Sequence, residues 1–227
     1  MTDLFNQYES KFEELKDLEQ DDLLRSLRLF NIRLRLAMDI QIDFKGQNSL
    51  TKSKSVRDTY VLIIRLNEMW NAYEALSHYA NEVGQHVAKG VSKSRIYTQT
   101  FLKTVGSMQT LSGLLEWLNS EYDSNNHFKR DFEQYINRIE QSSKATIKAD
   151  ASSVLAHLHG EKSISGIELL SLIYAERNLY YHNGETAKMG MSYSNRKKLL
   201  HYYQETLTEH SLRLANHVID EQIQQSQ

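Results

Sequence analysis

Not one of the 227 residues is proline, and only nine are glycine. Average proline usage of about 5% would put about 11 in a chain of this length. These two residues interrupt helices most effectively, at about 3 and about 1 kcal/mol in a helix interior. A chain without the first and poor in the second, and rich in Leu, Glu, Lys, Gln and Ala, is committed to helix. A hydrophobic share of 40%, with 13 Tyr, 7 Phe and 2 Trp, can fill a core and excludes wholesale disorder. The expected fold class is therefore all-α.

Periodicity divides the chain. Phe5, Tyr8, Phe12, Leu15 and Leu18, then Leu23, Leu27, Phe30 and Leu34, recur at helical spacing. One long helix or two joined near residue 20 would fit, forming an N-terminal helical extension over residues 1–45. A polar loop is expected over 46–55. The strongest pattern runs over 56–83, where Leu62, Leu66, Met69, Tyr73, Leu76, Ala80 and Val83 mark one seam and Tyr60, Ile63, Trp70 and Ser77 a second. A helix apolar over so wide an arc belongs at the centre of a bundle. Residues 84–106 are looser, with a short helix over 96–103. Further helices are expected over 107–122, from a cap at Asn126 through Ile139, over 144–158, from Ser163 or Ser165 through the 170s, and from Ser192 or Ser194 to about 223. Residues 55–223 thus read as a helical bundle with four to five core helices.

No cysteine is present, which removes disulfides, thiol catalysis and cysteine-type zinc sites together. No phosphate-binding glycine loop, nucleophile elbow or zinc-protease helix occurs, and neither metal nor cofactor is expected. His157 and His159 could begin a metal pair but lack a third ligand. No apolar run approaches the roughly 20 residues of a membrane span, and the acidic start is unlike a signal peptide. A cytoplasmic location without membrane contact is the expectation.

Net charge is only −2, but its distribution is uneven. Residues 1–22 carry eight acids against two lysines, and 23–65 nine bases against three acids. A second basic patch, Lys188, Arg196, Lys197 and Lys198, follows residue 187. Such patches suffice for phosphate contacts, or serve simply as solvated helix faces.

The densest chemistry lies in Arg177-Asn178-Leu179-Tyr180-Tyr181-His182, closed by Asn183-Gly184. Positions five apart on a helix point about 140° from one another, so Arg177 and His182 would diverge in mid-helix. Asn183-Gly184 is a helix stop, which puts His182 in the last turn, where it can swing towards the long arginine. Asn178, four residues before His182, is placed to hydrogen-bond the imidazole and fix its tautomer. Arginine can neutralise a phosphate and histidine can move a proton near neutral pH, the minimum for RNA cleavage by its own 2′-hydroxyl. Tyr180 and Tyr181 could stack on a base or pack in the core. A second Arg–His pair of the same spacing, Arg196 to His201, has no stop behind it and reads as surface spacing. His210 and His217 share a face of the last helix, where packing is the expected role.

The string Arg-Asn-x-x-x-His-x-Gly, between a Leu-Leu helix and a long amphipathic one, resembles the HEPN superfamily over roughly residues 55–220. The stretch 65–76, Arg-Leu-Asn-Glu-Met-Trp-Asn-Ala-Tyr-Glu-Ala-Leu, looks like an early helix of those domains. The resemblance implies a metal-independent endoribonuclease of toxin–antitoxin or antiviral, abortive-infection defence, with Arg177, Asn178 and His182 catalytic. It further implies a homodimer with RNA, single-stranded or looped, lying between subunits. Lys188, Arg196, Lys197 and Lys198 would flank the RNA, Tyr181 would stand beside it, and Glu74 or Asn71 would face the motif. An antitoxin or regulatory protein is an implied partner. Nucleotidyltransferase-regulated members carry a tyrosine two residues after the histidine; here Gly184 departs from that pattern. A non-catalytic module binding RNA, nucleotide or a partner protein, and a purely structural helical adaptor, are the alternatives.

Overall fold

The computed structural model describes residues 1–18, 24–45, 53–83, 102–183, 186 and 188–226, excepting the side chains of 181–183. Eight helices account for nearly all of them: α1 (Thr2–Leu18), α2 (Arg25–Asp39), α3 (Lys54–Glu82), α4 (Gln109–Ser124), α5 (Asn126–Ser142), α6 (Ala145–Leu158), α7 (Gly166–Asn183) and α8 (Tyr193–Ser226). A single helical turn covers 102–105. Among the described residues there is no strand, and no helix is long and apolar enough to cross a membrane. The protein is an all-α bundle. Of the loop expected over 46–55, residues 46–52 lie outside the described residues, and Lys54 and Ser55 already belong to α3, which Ser53 precedes in extended backbone. Most of the short helix over 96–103 and the 19–23 junction between α1 and α2 also lie outside the described residues.

The two longest helices form the axis. Along α3 and α8, contacts advance together: Asp58 with Lys197, Tyr73 with His210, the Val83 carbonyl with Gln222. The pair is therefore parallel, and both N-termini lie at one end of the bundle. α2 runs antiparallel along α3, tied by Arg33 to Glu68 (2.6 Å) and by Arg65 to the Ile40 carbonyl (2.9 and 3.1 Å). α7 also runs antiparallel to α3, with Trp70 against Tyr174 and Tyr60 against Tyr180. The C-terminal end of α7 thus arrives where α3 begins.

Both stripes expected on α3 are buried, from Leu62 to Ala80 and from Ile63 to Ser77. The stretch read as an extension shares that core. Tyr8, Phe12, Leu15, Leu27, Phe30 and Leu34 are buried in the same apolar cluster, with the Tyr8 ring edge-on to Phe30 at 5.3 Å. Burying side chains of this size supplies about 1.5–3 kcal/mol each, more than a loosely attached arm would gain.

One cap is shifted by a residue. Asn125, not Asn126, takes the extended backbone and accepts from the backbone N–H groups of His127 (3.1 Å) and Phe128 (3.0 Å) to open α5. Ser165, one of the two residues expected to cap α7, does so: its Oγ accepts from the Ile167 N–H at 3.3 Å, and the Glu168 carboxylate reaches back to accept from the Ser165 N–H (2.9 Å) and hydroxyl (2.6 Å).

Candidate functional site

α7 is bound into the bundle along its length before its chemistry begins. Buried Ser171 donates to Asp150 of α6 at 2.7 Å, and Tyr174 leans on Trp70. Glu176 then turns into the core, Arg177 is half-buried, and the helix ends at Asn183. Residue 182 consequently occupies the last turn, as the Asn-Gly stop predicts. The side chains of Tyr181 and His182, and Gly184, lie outside the described residues.

The expected bond from Asn178 to the imidazole falls on a side chain outside the described residues, but the other end of Asn178 has a partner. Its Oδ1 accepts from Nη1 of Arg177 at 3.1 Å, so its carbonyl steers the guanidinium. Tyr180 packs edge-on to Tyr60, and Tyr60 in turn contacts Phe44. An aromatic group from three segments therefore stands beside the end of α7.

Arg196 is a correction. Expected as a basic surface residue flanking RNA, it is fully buried. Its Nη2 pairs with Glu176, contacts Sδ of Met189 at 2.9 Å, and its guanidinium lies over the Tyr135 ring at 5.3 Å. Burial opposes the positive charge, but the Glu176 carboxylate beside it keeps the guanidinium protonated. The same burial pushes the Tyr135 and Tyr203 phenols up, so they remain neutral while sharing a hydrogen bond of 3.3 Å. Met189 adopts φ +43, a left-handed backbone that costs a bulky residue, and is itself buried against Arg196. The turn after α7 is thereby locked to the base of α8.

A second clamp holds the same connection. Asp131 of α5, buried, accepts from the Ser192 N–H (2.7 Å) and from Nδ2 of Asn195 (3.1 Å). Neither clamp was anticipated. The signal for Glu176 was faint: one acid directly after the apolar run Leu172-Ile173-Tyr174-Ala175.

The remaining basic residues separate. Lys188 is exposed in the turn after α7. Lys197 points to Asp58 at 3.7 Å and Lys198 to Glu121 at 3.1 Å. The Glu121 carboxyl is held below its usual range by Asn125 and then by Lys198. Both lysines, with His201 and with Asp58 and Arg65 of α3, line a groove of about 430 Å³ between the N-terminal parts of α3 and α8. Asp58, Val61, Leu62 and Arg65 fall on one helical face, a pattern visible in sequence only once its partner helix is known.

Glu74 is not brought to the motif. It accepts from Trp70 Nε1 at 3.1 Å, one turn beyond the Trp70–Tyr174 contact. Fourteen residues separate it from Tyr60, about 21 Å along the axis at about 1.5 Å each. His157 and His159 also part company: the first meets the Lys162 carbonyl at 2.9 Å, the second the Tyr122 hydroxyl at 2.6 Å. Among the described residues no three potential ligands converge on a metal position. His210 packs in the core against Tyr73, and His217 meets Glu221 at 3.2 Å.

The end of α7 can therefore offer a half-exposed cation, a polar neighbour that steers it, and a last-turn backbone position for an imidazole. No protein-family model, curated protein or solved structure matches this chain.

Proposed function

We propose that the chain is a metal-independent endoribonuclease of the HEPN type, with Arg177 and His182 as its catalytic pair. The observation that carries this reading is the end of α7 at Asn183, one residue beyond His182, with the partly buried Arg177 five residues earlier on the same helix. The imidazole of His182 accepts the proton of a ribose 2′-hydroxyl as that oxygen attacks the adjacent phosphorus. Arg177, steered by Asn178, neutralises the crowded phosphorane oxygens. The bond to the 5′-oxygen breaks, that oxygen takes up a proton, and the products carry a 2′,3′-cyclic phosphate and a 5′-hydroxyl. Positioned proton transfer contributes about 10²–10⁴-fold to such a step.

The same reading makes the RNA single-stranded or looped, since only there can the backbone reach in-line geometry beside exposed bases. Tyr181 and Lys188 would contact it. A homodimer joining two motifs in one cleft, and an antitoxin or other regulatory partner in a toxin or antiviral setting, complete the proposal. The Arg177–Asn178 hydrogen bond favours one alternative, a non-catalytic module that keeps its guanidinium on its own helix and only binds RNA.

The test is incubation of purified protein with cellular RNA in EDTA, assaying cyclic-phosphate ends. Wild type is expected to cleave and His182→Ala to lose about 10²–10⁴-fold. Equal cleavage by both proteins removes the nuclease reading. RNA binding without cleavage by either selects the binding module.

A further inference from the structure

We propose that the groove between the N-terminal parts of α3 and α8 is a separate binding site for a mononucleotide, held chiefly through its phosphate. The groove encloses about 430 Å³, within the roughly 300–1,000 Å³ of small-molecule pockets. Its lining divides into two parts. Val61 and Leu62 supply an apolar floor, and Arg65, Lys197 and Lys198 supply three cations against the single carboxylate of Asp58, with His201 beside them. An apolar surface next to convergent cations suits a ligand that is flat at one end and anionic at the other.

The cations converge on the groove from two helices: Lys197 and Lys198 from the second turn of α8, and Arg65 from well inside α3. Arg196 is compensated by Glu176 in the core, but Lys197 and Lys198 face the groove. Arg65 gives Nε and Nη2 to the Ile40 carbonyl, a neutral partner that leaves its charge in place. The ion pair from Lys197 to Asp58, at 3.7 Å and partly exposed on both sides, contributes little, so a phosphate can displace it. Lys198 reaches the phosphate by exchanging its exposed contact with Glu121. Two lysines in partly exposed pairs and an arginine on a neutral partner leave the groove lining net positive, which favours an anion.

The proposal does not depend on the nuclease reading, because none of these groups belongs to the Arg177–His182 pair. Titration calorimetry with AMP, adenosine, inorganic phosphate and a short single-stranded RNA, on the full chain, tests it. AMP is expected to bind wild type at least tenfold more tightly than adenosine, and to weaken as salt rises. Lys197→Glu and the double variant Lys197→Glu/His201→Ala are expected to lose at least tenfold in AMP affinity, while Lys188→Glu, outside the groove, changes it less than twofold. Thermal melting checks that these surface variants fold; a variant that does not is replaced by Lys198→Glu, with the same expectation. No AMP binding by wild type at 5 mM, on the order of the weakest useful affinity, overturns the proposal. So does equal binding of adenosine, unchanged AMP affinity in the groove variants, or a loss confined to RNA. Cleavage assays on the same preparations report on His182 separately.

Discussion

Two arginines in this chain are followed five residues later by a histidine, and the fold treats the two pairs in opposite ways. Arg196 and His201 both lie within the first turns of α8, with no helix stop behind them. At about 140° apart they cannot share a face. The guanidinium enters the core and the imidazole lines the outer groove. Arg177 and His182 have the same spacing at the other polarity, the end of α7. There the helix stops one residue past the histidine, and the arginine remains half-exposed. Spacing alone separates a guanidinium from an imidazole; a helix terminus is what can reunite them.

The comparison breaks most decisively at Arg196. Arg196→Ala would leave Glu176 charged and buried without its partner, a change worth about 3–5 kcal/mol. The double variant Arg196→Met/Glu176→Leu is expected to recover most of that loss, since an apolar pair of similar volume can replace a buried ion pair. Arg177→Ala, at a half-exposed position, is expected to cost about 1 kcal/mol or less. Urea unfolding midpoints at pH 7 measure all three. A loss for Arg177→Ala as large as for Arg196→Ala would mean that both arginines are structural.

Two of the three imidazoles on α8 extend the contrast. His201 is exposed, whereas His210 is fully buried against Tyr73 and neither of its ring nitrogens finds a hydrogen-bond partner among the described residues. Burial lowers its pKa to about 4, with Glu209 opposing the shift only in part. The folded pKa lies below the unfolded value of about 6.5, so the stabilising contribution is complete above about 6.5. It is lost as pH falls towards 4, because the unfolded chain takes up the proton first. Over that interval the loss is about 3 kcal/mol. His210→Phe is expected to flatten the stability profile between pH 7 and 4, and to hold or raise stability at pH 7 by removing two unpaired polar atoms. An unchanged acid slope would place the titrating group elsewhere.

Much of this fold was written in its apolar spacing. The seams of α3 from Leu62 to Ala80 and from Ile63 to Ser77, the stripe Phe128, Phe132, Tyr135, Ile136 and Ile139 of α5, and the row Leu200, Tyr203, Leu207, Leu214 and Val218 of α8 are buried where the 3.6-residue period puts them. Helix starts preceded by Ser or Asn, at α3, α5, α7 and α8, were legible to within about two residues, while the ends of α2, α5 and α8 were not. What spacing could not convey was where charged side chains go. Arg196, Lys197 and Lys198 look like one solvated run. Whether one turns inward depends on Glu176, twenty residues away on another helix, and nothing local distinguishes the first of the three. Similarly, Asn125 and Asn126 are the same residue, and only the backbone geometry decides which one caps. The burial of α1 and α2 was hidden for a different reason: their partners lie on α3 and α8, far along the chain.

The starts of α7 and α8 offer a smaller contrast. Each serine Oγ accepts from a helix N–H at 3.3–3.4 Å, but Ser165 also gives its own N–H and hydroxyl to Glu168 over short contacts. Ser165→Ala is expected to cost about 1 kcal/mol, within the 0.5–2 of such caps, and Ser192→Ala a few tenths. The start of α8 depends instead on Asp131, so Asp131→Ala should exceed both. Denaturant midpoints for the three variants rank them. A reversed order would show that the serine, not the buried carboxylate, holds the turn.

The smallest expected effect closes the contrast between the two pairs. His201 is exposed at the rim of the groove, and in the folded chain its imidazole can be removed without opening a cavity or stranding a partner. His201→Ala should therefore lie within about 0.5 kcal/mol of wild type in urea unfolding. Alanine also has the better helix propensity, which pulls the change towards stabilisation. If the second pair is a product of spacing alone, RNA cleavage by His201→Ala equals that of wild type, and only nucleotide affinity at the groove falls. Loss of cleavage with stability intact would move the catalytic imidazole from the end of α7 to the start of α8.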